Sequence, residues 1–90
     1  SASLRGASLV GADLSDAHLC NSDCTGADFT NALLVEADLV SVDLTDADLT
    51  GADLRAAFLV NAILDGANLN GVIWDKETTW PESFTPPKSG

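Results

Sequence analysis

The feature that most constrains this chain is a period of five. The stretch Val42 to Arg55, VDLTDADLTGADLR, states one phrase nearly three times. An α-helix repeats its faces at about 3.6 residues and a strand at 2, so a five-residue repeat suits neither alone. Set in fives from Ala2, the chain keeps one register to Lys76 without an insertion, which makes fifteen pentads.

The central position of the pentad is Leu in twelve cases and Cys24, Phe29 or Trp74 in the others; every one is apolar. Two residues earlier stands Ala, Ser22, Val42 or Val72, always small or β-branched. A mostly polar residue lies between, so each pentad carries an in-out-in triplet at strand spacing, followed by two residues free to turn. A chain that turns a corner every five residues satisfies its backbone by winding into a coil whose successive turns stack. The corner glycines Gly6, Gly11, Gly26, Gly51, Gly66 and Gly71 all fall in two of four columns when the pentads are numbered modulo four. Four sides and a coil of about 20 residues follow, giving just under four coils and a height of roughly 18 Å.

The pattern A(D/N)Lxx, as in GADLS at 11–15, EADLV at 36–40, DADLT at 46–50 and GANLN at 66–70, resembles the pentapeptide-repeat family. The resemblance covers about five-sixths of the chain. It implies an all-β fold, a right-handed quadrilateral (square) β-helix with the central Leu and the preceding Ala pointing inward.

Residues 1–76 form the expected β-helix, and 77–90 a C-terminal capping tail. The period fails after Lys76, where ETTWPESFTPPKSG puts Thr79 at the next central position and brings Trp80, Phe84 and three prolines. Trp74, Trp80 and Phe84 are the expected capping residues, and WP followed by F is common at the ends of similar repeat proteins. The N-terminal end shows no such segment, so either a partner subunit covers Leu4 and Leu9 or residues were removed.

Ninety residues make one small domain, and fourteen acids against four bases give a net charge of −10. That charge opposes direct binding of nucleic-acid phosphates or insertion into anionic membranes and favours a basic protein partner. No apolar run approaches a membrane span, and the chain reads as soluble: cytoplasmic, or periplasmic or thylakoid-lumenal if a presequence was removed. Two cysteines do not make a disulfide scaffold. Cys20 should point out and Cys24 in, which argues against a bond between them.

Outward residues of one column stack from coil to coil. The first side stacks Ser3, Asp23, Asp43 and Ile63; the second Ser8, Asp28, Asp48 and Asn68; the third Asp13, Leu33, Asp53 and Ile73. Asp43, Asp48 and Asp53 accordingly face water on three different walls. The fourth side is unlike the others, with His18, Asp38 and Phe58 in one outward column and Cys20, Val40 and Val60 in the other. Contiguous exposed apolar surface marks contact, so this side is a candidate interaction face. The competing reading is that Trp80 or Phe84 folds back over it. A homodimer through this side, or through the N-terminal end, belongs to the same reading.

His18, Cys20 and Asp38 suggest a Cys-His-acid site, but a flat wall offers neither pocket nor oxyanion donors, and the spacing follows from the repeat alone. Asp23 over Asp43 and Asp28 over Asp48 bring carboxylates within about 5 Å, yet flat ladders supply too few oxygens for calcium. No catalytic, metal or cofactor site is therefore expected. Two functions remain. One is a non-catalytic structural or protein-interaction module. The alternative, implied by the quinolone-resistance proteins of similar repeat, is an acidic DNA mimic bound by a type II topoisomerase such as gyrase. Residues 1–75 carry about one charge per 1.8 Å of coil, close to the roughly 1.7 Å of duplex DNA, but the coil spans only about five base pairs.

Overall fold

The computed structural model describes residues 3–82 and 84–87; the outermost residues of the two expected segments, 1–2 and 88–90, lie outside the described residues. Isolated parallel bridges join each outward residue to the one 20 positions on, from Ser3 with Asp23 to Asp53 with Ile73. Four pentads per coil is the direct consequence, since each side meets itself one coil later.

In the middle coils the backbone is satisfied in one recurring way. The central N–H donates to the outward carbonyl of the next coil (Leu44 to Ile63, 2.8 Å), and the outward N–H donates back to the small inward residue of the coil before (Asp48 to Ala27, 2.9 Å). The second corner N–H also climbs one coil (Gly26 to Thr45, 2.8 Å), while the N–H of the next small residue closes the corner itself (Ala47 to Leu44, 2.9 Å). One donor is left over, that of the residue just after the central one.

The outward Asp or Asn takes it. Asp23, Asp28, Asp43 and Asp48 each accept at Oδ1 both the N–H and the hydroxyl of the Thr two residues later, with N–H bonds of 3.0 to 3.1 Å and hydroxyl bonds of 2.6 to 2.7 Å. Asp38 does the same for the Val40 N–H, and Asn68 for Asn70. A short acceptor bonding its own backbone two residues on is an Asx turn. The repeated Asp is thus a corner brace.

All fourteen corner residues from Gly6 to Gly71 have φ between 59 and 72°, the mark of a type II turn at its third position. Glycine does not single out a different geometry at its six positions. At Gly51 and Gly66 the cause is the coil beneath, because a Cβ there would run into the side-chain oxygen of Asn31 or Asp46. Ala56 adopts the same left-handed φ, of 59°, with no side-chain oxygen to support it. Ala56→Gly is therefore expected to raise the unfolding free energy by about 0.5–1 kcal/mol, and Gly51→Ala to lower it by about 1–2 kcal/mol, read from urea midpoints.

The inward columns form one core. Phe29, Leu34, Leu39, Leu44, Leu49, Leu54 and Leu59 are fully buried, with Cys24 and the alanines between them. The central residues of the end coils, Leu4, Leu9, Leu14 and Leu19 at one end and Leu64, Leu69 and Trp74 at the other, are only partly buried. Burial fades where no further coil covers them.

The strict period places Thr79 inward, and the structure moves it. An extra residue in the corner at Asp75 to Thr78 shifts the next bridge to 21 positions, Phe58 with Thr79. Thr79 is thereby outward and Trp80 takes the central place, packed against the core. Side chains repair the altered corner: the Ala56 N–H donates to the Asp75 carboxylate (3.1 Å) and the buried Thr78 hydroxyl donates to the Leu54 carbonyl (2.8 Å). Trp80 meets Trp74 edge to face at 5.7 Å and stacks on Phe84 at 5.3 Å.

Candidate functional site

The ladder brings His18, Asp38 and Phe58 together as consecutive bridge partners on the fourth side. Phe58 is 46% exposed and Val60 40%, while Cys20, Val40 and Asp38 are half-buried and His18 is exposed. Among the described residues the tail adds only Thr79 as a further rung on this wall and leaves Phe58 and Val60 exposed. Pro81 and Phe84 instead lie near Ala62 to Asp65, past the corner on the first side.

Ile63, 45% exposed, follows Val60 around that corner and extends the apolar strip. Its column marks it as a member of the charged first side, and only the corner at Asn61 makes it a neighbour of Val60. Sequence spacing held that signal, but a column-by-column reading separates the two.

Asp53 corrects the expectation that it faces water. It is only 6% exposed, held in the ladder between Leu33 and Ile73 and gripped by Arg55 through two bonds of 2.9 and 2.7 Å. The Arg55 hydrogen bonds hold its carboxyl below the usual range although burial pulls the other way. Asp23 and Asp48 are lowered too, chiefly by the hydroxyls of Thr25 and Thr50.

A depressed folded-state pKa gives stability that is fully present above the unfolded value of about 4 and is lost as pH falls through the folded value. The urea midpoint is therefore expected to hold from neutral pH to about 5 and to fall as the pH drops below about 4. Asp53→Asn should lower the unfolding free energy by about 2 kcal/mol at pH 7 and lose less than the parent on acidification.

The cysteines are both free, Cys20 half-buried and Cys24 fully buried. Burial, with the nearby charges of Asp23 and Asp43, pushes the Cys24 thiol up to about 11, far from a reactive thiolate. Among the described residues no group of three or more His, Cys, Asp or Glu is placed to hold a metal, and no helix is long and apolar enough to cross a membrane.

The profile of the family described as Pentapeptide repeats matches in eight copies, over residues 1–34 and 32–71. The chain belongs to the pentapeptide-repeat family. Its fold is accordingly the right-handed quadrilateral β-helix for which that family is known, and family members are generally structural or interaction modules. A pentapeptide repeat protein, Rfr23, from the cyanobacterium Cyanothece 51142 is 30% identical with a TM-score of 0.72. The match covers 87% of this pentapeptide-repeat chain and 56% of Rfr23, so the chain spans little more than half of that protein's length. The pentapeptide repeat protein alr5209 from Nostoc Pcc 7120 is 35% identical with a TM-score of 0.65, over 92% of this chain and 77% of the other. Among proteins of curated function none matches.

Proposed function

We propose that this pentapeptide-repeat chain is a non-catalytic interaction module that binds a protein partner through its fourth side. The observation that carries the reading is the pair Phe58 and Val60, exposed beside Val40 on a wall where the described residues of the tail do not cover them. In this reading the coil has just under four turns and its far end is capped by Trp74, Trp80 and Phe84. The braced aspartates favour it over mimicry of DNA, because their carboxylates answer to corner N–H and Thr hydroxyl groups of their own chain.

Val60→Asp tests the interface. The substitution places a charge on the exposed wall and should change stability by no more than about 0.5 kcal/mol. Pull-down from native extract and mass in solution are the readouts: the parent should hold a partner or self-associate and the variant should lose it, with unchanged melting. A variant that melts well below the parent while mass and capture stay the same would sink the interface.

A further inference from the structure

We infer that a groove at the C-terminal edge of the first side accepts an extended, basic peptide strand from another protein, which adds as the next rung of the ladder. This is a second surface, past the corner from the Phe58 and Val60 wall and sharing only Ile63 with its apolar strip.

On the first side, each coil donates to the next in one pattern. Leu4 and Gly6 donate to Asp23 and Thr25, Cys24 and Gly26 to Asp43 and Thr45, and Leu44 and Asp46 to Ile63 and Asp65, at 2.8 to 2.9 Å. Beyond Ile63 the series stops. Among the described residues the N–H groups of Leu64 and Gly66 meet no acceptor and the Ala62 carbonyl meets no donor. Leu64 is half-buried, whereas Cys24 and Leu44 in the same column are buried. The core shows at this place.

A groove of about 540 Å³ runs along this edge, with residues 62–65 on one side and Pro81, Glu82 and Phe84 on the other. Its size falls within the roughly 300–1,000 Å³ of ligand clefts. An unpaired sheet edge is a ready template for a strand, whose main-chain bonds supply affinity and whose alternate side chains supply specificity. A strand laid here would offer carbonyls to Leu64 and Gly66, an N–H to Ala62, and an apolar side chain above Leu64.

Charge selects the occupant. Asp65 and Glu82 are both exposed on the rim, no lining residue is basic, and the whole chain carries −10. The fitting strand alternates apolar residues with Lys or Arg, and an acidic strand is repelled.

Amide exchange read by NMR tests this, with the synthetic peptide Lys-Val-Lys-Val-Lys-Val as probe. In the free protein Leu64 and Gly66 should exchange fast while Leu44 and Asp46 are protected. Saturating peptide should slow Leu64 and Gly66 by at least about tenfold. Methylating alternate backbone nitrogens of the peptide, which keeps its charge, should weaken binding about tenfold or more, as should the exposed double reversal Asp65→Lys with Glu82→Lys, whose melting should match the parent. Val60→Asp should leave the affinity unchanged, so this site and the fourth-side interface fail separately. The inference is overturned by unchanged exchange at Leu64 and Gly66, by equal affinity of the methylated peptide, or by no binding up to about 1 mM. It is equally overturned if those amides are protected in the free protein, because its own tail or a second copy then fills the edge.

Discussion

Phe29→Ala is expected to lower the unfolding free energy by about 3–5 kcal/mol, about a fifth or more of the roughly 5–15 kcal/mol a domain of this size possesses. Phe29 is the largest fully buried side chain and follows Cys24 at the next central position of the same coil. A large residue beside a small one fills a square section that holds four leucines in the coil before and the coil after. The pairing gives a sharper test than the cavity alone. Cys24→Leu by itself should overpack the coil and cost about 1–3 kcal/mol, and Phe29→Leu should leave a gap worth about 1 kcal/mol. Made together they restore two leucines, so the double variant should be more stable than either single one, with a coupling of at least about 1 kcal/mol. Urea unfolding of the four proteins measures it, and additive losses would refute the compensation.

Trp80→Ala should cost about 3 kcal/mol, because it removes the ring that takes the central place after Leu59 and joins Trp74 to Phe84. The loss should be local as well as global: the Leu59 N–H, which donates to the Thr79 carbonyl at 2.7 Å, should become one of the faster-exchanging core amides. Trp80→Phe should cost far less, near 1 kcal/mol. The indole Nε1 is buried and finds no partner among the described residues, so its removal forfeits no hydrogen bond. Equal melting points for Trp80→Ala and the parent would mean that the ring is not needed to close the coil.

The acidity of the chain has a physical origin that the sequence shows only indirectly. Asp, two residues before Thr, reads as a repeated surface carboxylate beside a usual ladder residue. In three dimensions the same pair closes the one backbone donor that ladder and corner leave over. Where the outward position is Phe58 or Ile63 no such brace exists and the apolar side chain is exposed, as it is at Leu33 and Ile73 on the third side. The candidate interface along the corner from Phe58 to Ile63 thus lies where braces are missing, and the third side has a second such place at Leu33 and Ile73.

The sequence by itself determined the solenoid. A period of five with apolar residues two apart admits little else, because every pentad must bury the same two positions and turn at the same two. The inward columns, the stacking of His18, Asp38 and Phe58, and the opposed directions of Cys20 and Cys24 all follow from that period.

Tertiary structure alone decided the rest, wherever contact between sides or coils outweighs column membership. Asp53 is buried because Leu33, Ile73 and Arg55 converge on it from three pentads. Ile63 joins Val60 because a corner brings two columns side by side. Trp80 replaces Thr79 as the central residue because one added residue in a corner shifts everything after it by one, and at a strand period of two that exchanges inside for outside.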